Sequence, residues 1–145
     1  MATMLERVQA MIRGDAPNPP VAELVGFRVL EVSPGRALFE MEAGPQHANP
    51  MGTMHGGILC DIADAAMGIA YASTLGEGES FTTLELKINF LKPVWKSKLR
   101  AEGRLVKRGR TVGLVECDVL DESGSLVARA SSTCLTLAGA MASGR

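Results

Sequence analysis

The chain has 145 residues, 46% of them hydrophobic and 21% charged, with a formal net charge of −1. That balance is globular rather than disordered, and the length fits one domain, residues 1–145, whose core needs no covalent staples. A sequence pI near 6.1 argues against a general nucleic-acid binder.

Cys60, Cys117 and Cys134 are an odd count with no C-x-x-C pair. Reduced thiols in a cytoplasmic protein are the simplest reading. The first dozen residues carry Glu6 and Arg7 and lack the apolar core of a secretory signal. Gly56 to Leu75 is apolar and long enough to cross a bilayer, but Asp61 and Asp64 would each cost several kcal/mol at that depth. A membrane span is excluded.

In chain order, Met4, Val8, Met11 and Ile12 recur at helical spacing, so residues 1–20 read as a short amphipathic helix and a proline-rich linker. Phe27 to Ser33 and Ala37 to Ala43 read as strands about the turn pair Pro34-Gly35, with Phe39, Met41 and Ala43 facing inward. A loop from Gly44 to Met54 precedes the one long helix. On its wheel Ile58, Leu59, Ile62, Ala66 and Ile69 share one face, and Cys60, Asp64, Met67, Gly68 and Tyr71 the other. No Lys, Arg, Glu, Gln or Asn occurs between Gly56 and Leu75. Both faces are therefore expected to be covered, one by sheet and one near a subunit contact. Its alanines and Gly68 would let a sheet approach closely.

Beyond Gly76-Glu77-Gly78, Thr82, Leu84, Leu86, Ile88 and Phe90 alternate with polar residues, and Leu99 to Leu105 continue the pattern. Val112–Leu120 and Leu126–Leu137 form a hairpin about Glu122-Ser123-Gly124. Two strands, a long helix and four strands make an α+β pattern with a largely antiparallel sheet.

Charge is unevenly spread. From Lys87 to Arg110, nine basic residues face only Glu102, a net +8, which leaves −9 on the rest of the chain. The segment reads either as two strands with basic solvent faces or as a docking surface for a polyanionic ligand.

The informative window runs from His47 to Gly57 (His47-Ala48-Asn49-Pro50-Met51-Gly52-Thr53-Met54-His55-Gly56-Gly57), with Asp64 nine residues past His55. Gly56 and Gly57 sit where the loop enters the helix, so their N–H groups lack intrahelical partners and favour an oxyanion or a polarised carbonyl. Asp64 is about two turns on, roughly 10 Å along the axis. A second copy related by two-fold symmetry could bring its own Asp64 to this point, pairing a carbonyl polariser with a hydrolytic carboxylate. Plainer readings stand beside this one: Gly56-Gly57 as a simple helix start, Asp64 as a surface residue, His55 as a capping histidine. Two histidines without H-x-x-x-H spacing argue against a zinc site, and Cys60 lacks a basic neighbour that would make it a nucleophile.

The run H-x-N-x-x-G-x-x-H-G-G with an acid nine residues past the second histidine resembles the PaaI-type hotdog-fold acyl-CoA thioesterases, and the likeness extends over nearly the whole chain. It implies an antiparallel sheet of five or six strands wrapped around one long helix, paired into homodimers and into dimers of dimers, a homotetramer. It implies that the Gly56 N–H polarises the thioester carbonyl and that Asp64, from the neighbouring chain, is nucleophile or general base. Asn49 would place substrate or water, His55 would sit beside the carbonyl, and Thr83 would position water. The basic stretch then has a ligand in the phosphates of coenzyme A, for which Lys92, Arg108 and Arg110 are the choices, with Gly57 also at the substrate. No metal or cofactor is implied. A non-catalytic acyl-CoA-binding module and a hotdog dehydratase are the alternatives.

Overall fold

The computed structural model describes residues 1–145. In chain order the elements are α1 (Met4–Arg13), α2 (Pro20–Val25), β1 (Phe27–Ser33), β2 (Arg36–Ala43), α3 (Gly56–Ala72), β3 (Ser80–Phe90), β4 (Ser97–Arg108), β5 (Val112–Leu120) and β6 (Leu126–Leu137). All six strands pair antiparallel in one sheet of order β1-β2-β4-β5-β6-β3. The sheet packs on the long central α3, the hotdog arrangement that the resemblance implies.

The helix lies close to the sheet because small residues meet there. A Cβ built on Gly103 of β4 would collide with the Ala66 carbonyl of α3, and one on Gly113 of β5 would meet the Tyr71 ring at 2.5 Å. Leu59, Ile62, Ala63, Ala66, Met67, Ala70 and Tyr71 are buried on this seam, against Phe39, Leu99, Ala101, Val115 and Cys117. The helix ends three residues short of Leu75, where the Ser73 hydroxyl donates to the Ala70 carbonyl (2.7 Å) and that of Thr74 to the Tyr71 carbonyl (2.7 Å).

At the other end of the chain, α1 begins with a capping box between Thr3 and Glu6 and stops at Gly14, whose φ of +81° a glycine adopts without strain. It rests on β1 and α3 with Val8 buried. The short α2 has no counterpart among the elements expected from sequence, because six residues are too few to establish a helical period.

Two patterns differ from their sequence reading. Met67 and Tyr71 belong to the buried seam, not to the face of Asp64. With small residues over much of the helix surface, hydrophobicity alone could not fix which way the wheel is turned. In β3 a bulge between Thr83 and Glu85 shifts the register against β6. Before it Phe81 packs on the core, after it Leu86 and Ile88 do, while Leu84 and Phe90 are more than half exposed. A strict period of two cannot survive an inserted residue.

Five of the nine basic residues of the segment pair with carboxylates. Glu40 of β2, itself buried, faces Arg28, Lys98 and Arg100. Glu102 pairs with Arg36, and Asp118 with Arg104 and Arg129. Lys87, Lys96, Lys107 and Arg110 have no carboxylate partner.

Candidate active site

The loop before α3 is held by its own polar side chains. His47 is buried, its Nδ1 accepting from the Gly44 N–H (3.1 Å) and its Nε2 bonding the Val25 carbonyl (2.8 Å), which ties the loop to α2. Asn49 donates from Nδ2 to the Thr53 hydroxyl (2.8 Å) and accepts the Met51 N–H at Oδ1 (2.9 Å). These bonds bring the chain to His55, the N-cap of α3, whose Nδ1 accepts the Gly57 N–H at 3.0 Å and whose carbonyl accepts the Ile58 N–H at 3.0 Å. His55 thus does cap the helix, and the Gly57 donor is occupied. The Gly56 N–H has no partner within the chain.

Gly56 opens onto a groove of about 420 Å³ that it shares with Asn49, Thr53, Phe90 and Lys92. The Phe90 ring lies over it so closely that a Cβ at Gly56 would stand 2.8 Å from Cζ. Lys92 donates to Asp121 at 2.6 Å. A bare backbone donor at the positive end of a 17-residue helix, beside an apolar ring, suits a polarised carbonyl oxygen.

Asp64 and Thr83 lie together elsewhere, at a cavity of about 390 Å³ between α1 and α3. Asp64 is open to solvent at its rim, yet the surrounding protein raises its carboxyl above the usual range by desolvation, and the charge of Asp61 adds to this. Behind Thr83, its hydroxyl lies 3.7 Å from Cys134 Sγ. Asp61, one turn before Asp64 and lining the same cavity, was missed in the sequence, although a spacing of three residues places it on the same helix face.

The other basic candidates are at the far end of α3. The Arg108 guanidinium sits 4.9 Å over the Tyr71 ring, donates to Thr74 Oγ1 at 3.2 Å and to the carbonyls of Gly109 and Arg110, and faces Glu79. Its donors are spent on the chain itself, whereas the Arg110 side chain is exposed. One chain therefore groups Asn49, Gly56 and Lys92 in one groove and Asp64 with Thr83 in another cavity, and holds Arg108 and Arg110 apart from both. The residues contain no cluster of His, Cys, Asp or Glu suited to a metal ion, and no helix is long and apolar enough to cross a membrane.

The fold recurs among known proteins. A phenylacetic acid degradation-related protein of Ralstonia eutropha superposes with a TM-score of 0.80 at 35% identity, covering 88% of this chain and 98% of that one. The PaaI protein of E. coli shares the fold, with a TM-score of 0.82 at 21% identity over 94% of this chain and 95% of its own. The 1,4-dihydroxy-2-naphthoyl-CoA hydrolase of Listeria monocytogenes is 25% identical over 105 residues, 72% of this chain and 85% of that protein. Residues 51–128, from the loop before α3 into β6, match the thioesterase superfamily. With the six-stranded sheet on its central helix and this match across more than half its length, the chain belongs to the thioesterase superfamily and is a hotdog-fold thioester hydrolase.

Proposed function

We propose that the protein hydrolyses an acyl-CoA to the free acid and CoA, at sites built by two copies of the chain. In each, the Gly56 N–H of one copy polarises the thioester carbonyl and Asp64 of the other supplies the carboxylate. The observation that carries this reading is the separation of the two groups: the free donor and the carboxylate stand eight residues apart on one helix and open into different cavities. A second copy would bring them together. The exposed edge strand β3, with Leu84 outward, and the exposed Phe90, Leu91 and Trp95 beside the Gly56 groove supply apolar surface for such a partner. A dimer of dimers would follow the same symmetry.

In the water route, Asp64 takes a proton from water as the water oxygen bonds to the carbonyl carbon, and the carbonyl electron pair moves onto the oxygen facing Gly56. Collapse breaks the C–S bond, and the leaving thiolate takes the proton from Asp64. A preorganised oxyanion donor contributes about 3–4 kcal/mol, and a positioned base about 10²–10⁴-fold. A carboxyl held above its usual range is the stronger base once ionised. Asn49 and Thr83 place substrate and water, and His55 and Gly57 set the helix start. Of the basic residues, Lys92 lies in the groove and Arg110 is free, which favours them over Arg108 for the phosphates of CoA. Unpaired thiols suit the reducing cytoplasm.

Release of CoA, trapped by a thiol-reactive dye across aliphatic and aromatic acyl-CoAs, tests this with Asp64→Ala in parallel. Turnover that is lost in the variant supports the assignment. Near wild-type turnover by Asp64→Ala sinks it, and thermal stabilisation by CoA esters without turnover points to a binding module.

A further inference from the structure

We propose that the cavity between α1 and α3 is the acyl pocket of this site, that it takes an unbranched aliphatic chain of medium length, and that α1 sets the length it accepts. This rests on the thioesterase reading above and adds the acyl class to it. The cavity is lined by the polar Asp64, which is open to solvent, and Thr83, and by an apolar set that includes Val8 and Met11 of α1, Phe27 of β1 and Ile69 of α3. An acyl thioester combines the same properties, a reactive polar carbonyl followed by a hydrocarbon.

Size and wall chemistry narrow the class. About 390 Å³ lies at the small end of the roughly 300–1,000 Å³ of ligand sites, which excludes a long fatty chain held entirely inside. The three rings in the wall are already engaged, Phe27 edge-on to Phe39 at 5.9 Å and Phe81 against Tyr71 at 5.6 Å, so they form no slot for an aromatic acyl group. Most of the remaining wall is aliphatic or thioether, with Asn18, Arg28 and Asp61 as its other polar members, and methionine adapts its shape to a flexible chain. On α1, Val8 is buried but Met11 is only half-buried and faces the cavity. Met11 is thus the adjustable part of the wall.

The test is kcat/KM of the full-length protein for butyryl-, octanoyl-, dodecanoyl-, palmitoyl- and phenylacetyl-CoA, with Met11→Trp, Met11→Ala and Val21→Trp. The wild type is expected to gain about fourfold per added methylene up to the octanoyl range, then to decline, with phenylacetyl- and palmitoyl-CoA poor. Met11→Trp should lower the octanoyl to butyryl ratio at least about tenfold, and Met11→Ala should move the optimum to longer chains. Val21, from α2, lines the cavity and is 51% exposed, so Val21→Trp narrows the space without disturbing a buried position. Thermal melts verify that each variant is folded. Ratios that match wild type in all three variants overturn the pocket while leaving the hydrolase assignment intact. Absence of turnover with every thioester in the wild type overturns the hydrolase assignment and the pocket with it.

Discussion

Gly56 and Asp64 lie on the same helix, two turns apart, and open into different cavities. The donor is at the helix start, where backbone N–H groups run out of partners. The carboxylate opens into the cavity that α1, β1 and β3 line with it. The proposed reaction uses both groups together and so depends on a second copy.

That dependence can be tested by complementation. Gly56→Pro removes the N–H at the first helical residue, where proline is tolerated, and His55 before it already has the extended backbone a proline requires (φ −62°, ψ 132°). The proline Cβ would meet the ring of the exposed Phe90, which must move aside. Turnover should fall about 10²–10³-fold with the fold retained. Mixed dimers of Gly56→Pro and Asp64→Ala chains contain one intact site, and activity should return on co-refolding. No recovery in verified mixed dimers would place both groups in one chain.

Asp64→Asn should cut kcat by about 10² or more and leave folding intact. Because desolvation by the surrounding protein and the charge of Asp61 raise the solvent-open Asp64 carboxyl, the folded state favours its protonated form, and ionisation at neutral pH costs a little stability. The neutral amide removes that cost, so Tm at pH 7 should rise by about 1–2 °C. The same shift governs activity, since the base must be ionised. The acid limb of kcat/KM should lie above the ordinary carboxylate range and vanish in the variant's residual activity. A limb at the ordinary value would show that another group titrates.

Gly103→Ala should be among the most damaging single-methyl additions. Its Cβ meets the Ala66 backbone, not a movable side chain, so α3 and β4 must separate. A loss of about 3 kcal/mol is expected, the upper range for overpacking, read from urea unfolding. A midpoint matching wild type would mean that the helix shifts freely on the sheet.

Asp118 accepts from Arg129 (2.7 Å) and Arg104 (3.4 Å), linking β4, β5 and β6. The hydrogen bond from Arg129, with the nearby positive charges, lowers its carboxyl. A lowered carboxyl stabilises the fold above its unfolded value near 3.9, and the contribution is lost as pH falls through the folded value. Asp118→Asn should therefore cost about 1 kcal/mol at pH 7, with the gap to wild type closing on acidification. An equal gap at pH 7 and pH 2 would assign the loss to packing.

Much was legible in the chain by itself. Alternation placed β2, β3 and β4, the turns at Pro34-Gly35 and Ser123-Gly124 placed the hairpins of the other strands, and the glycine pair after His55 placed the helix start within a motif that resembles PaaI-type thioesterases. These signals are local, set by side-chain periodicity and by backbone freedom at single residues. What only the tertiary structure decided is non-local. The bulge at Thr83–Glu85 turned Leu84 outward, and close contact with Gly103 and Gly113 chose which face of α3 is buried. Ion pairs from neighbouring strands absorbed much of the basic segment. The separation of Gly56 from Asp64, and the apolar cavity that α1 builds beside Asp64, arise because strand register and helix packing bring together residues that no spacing along the chain relates.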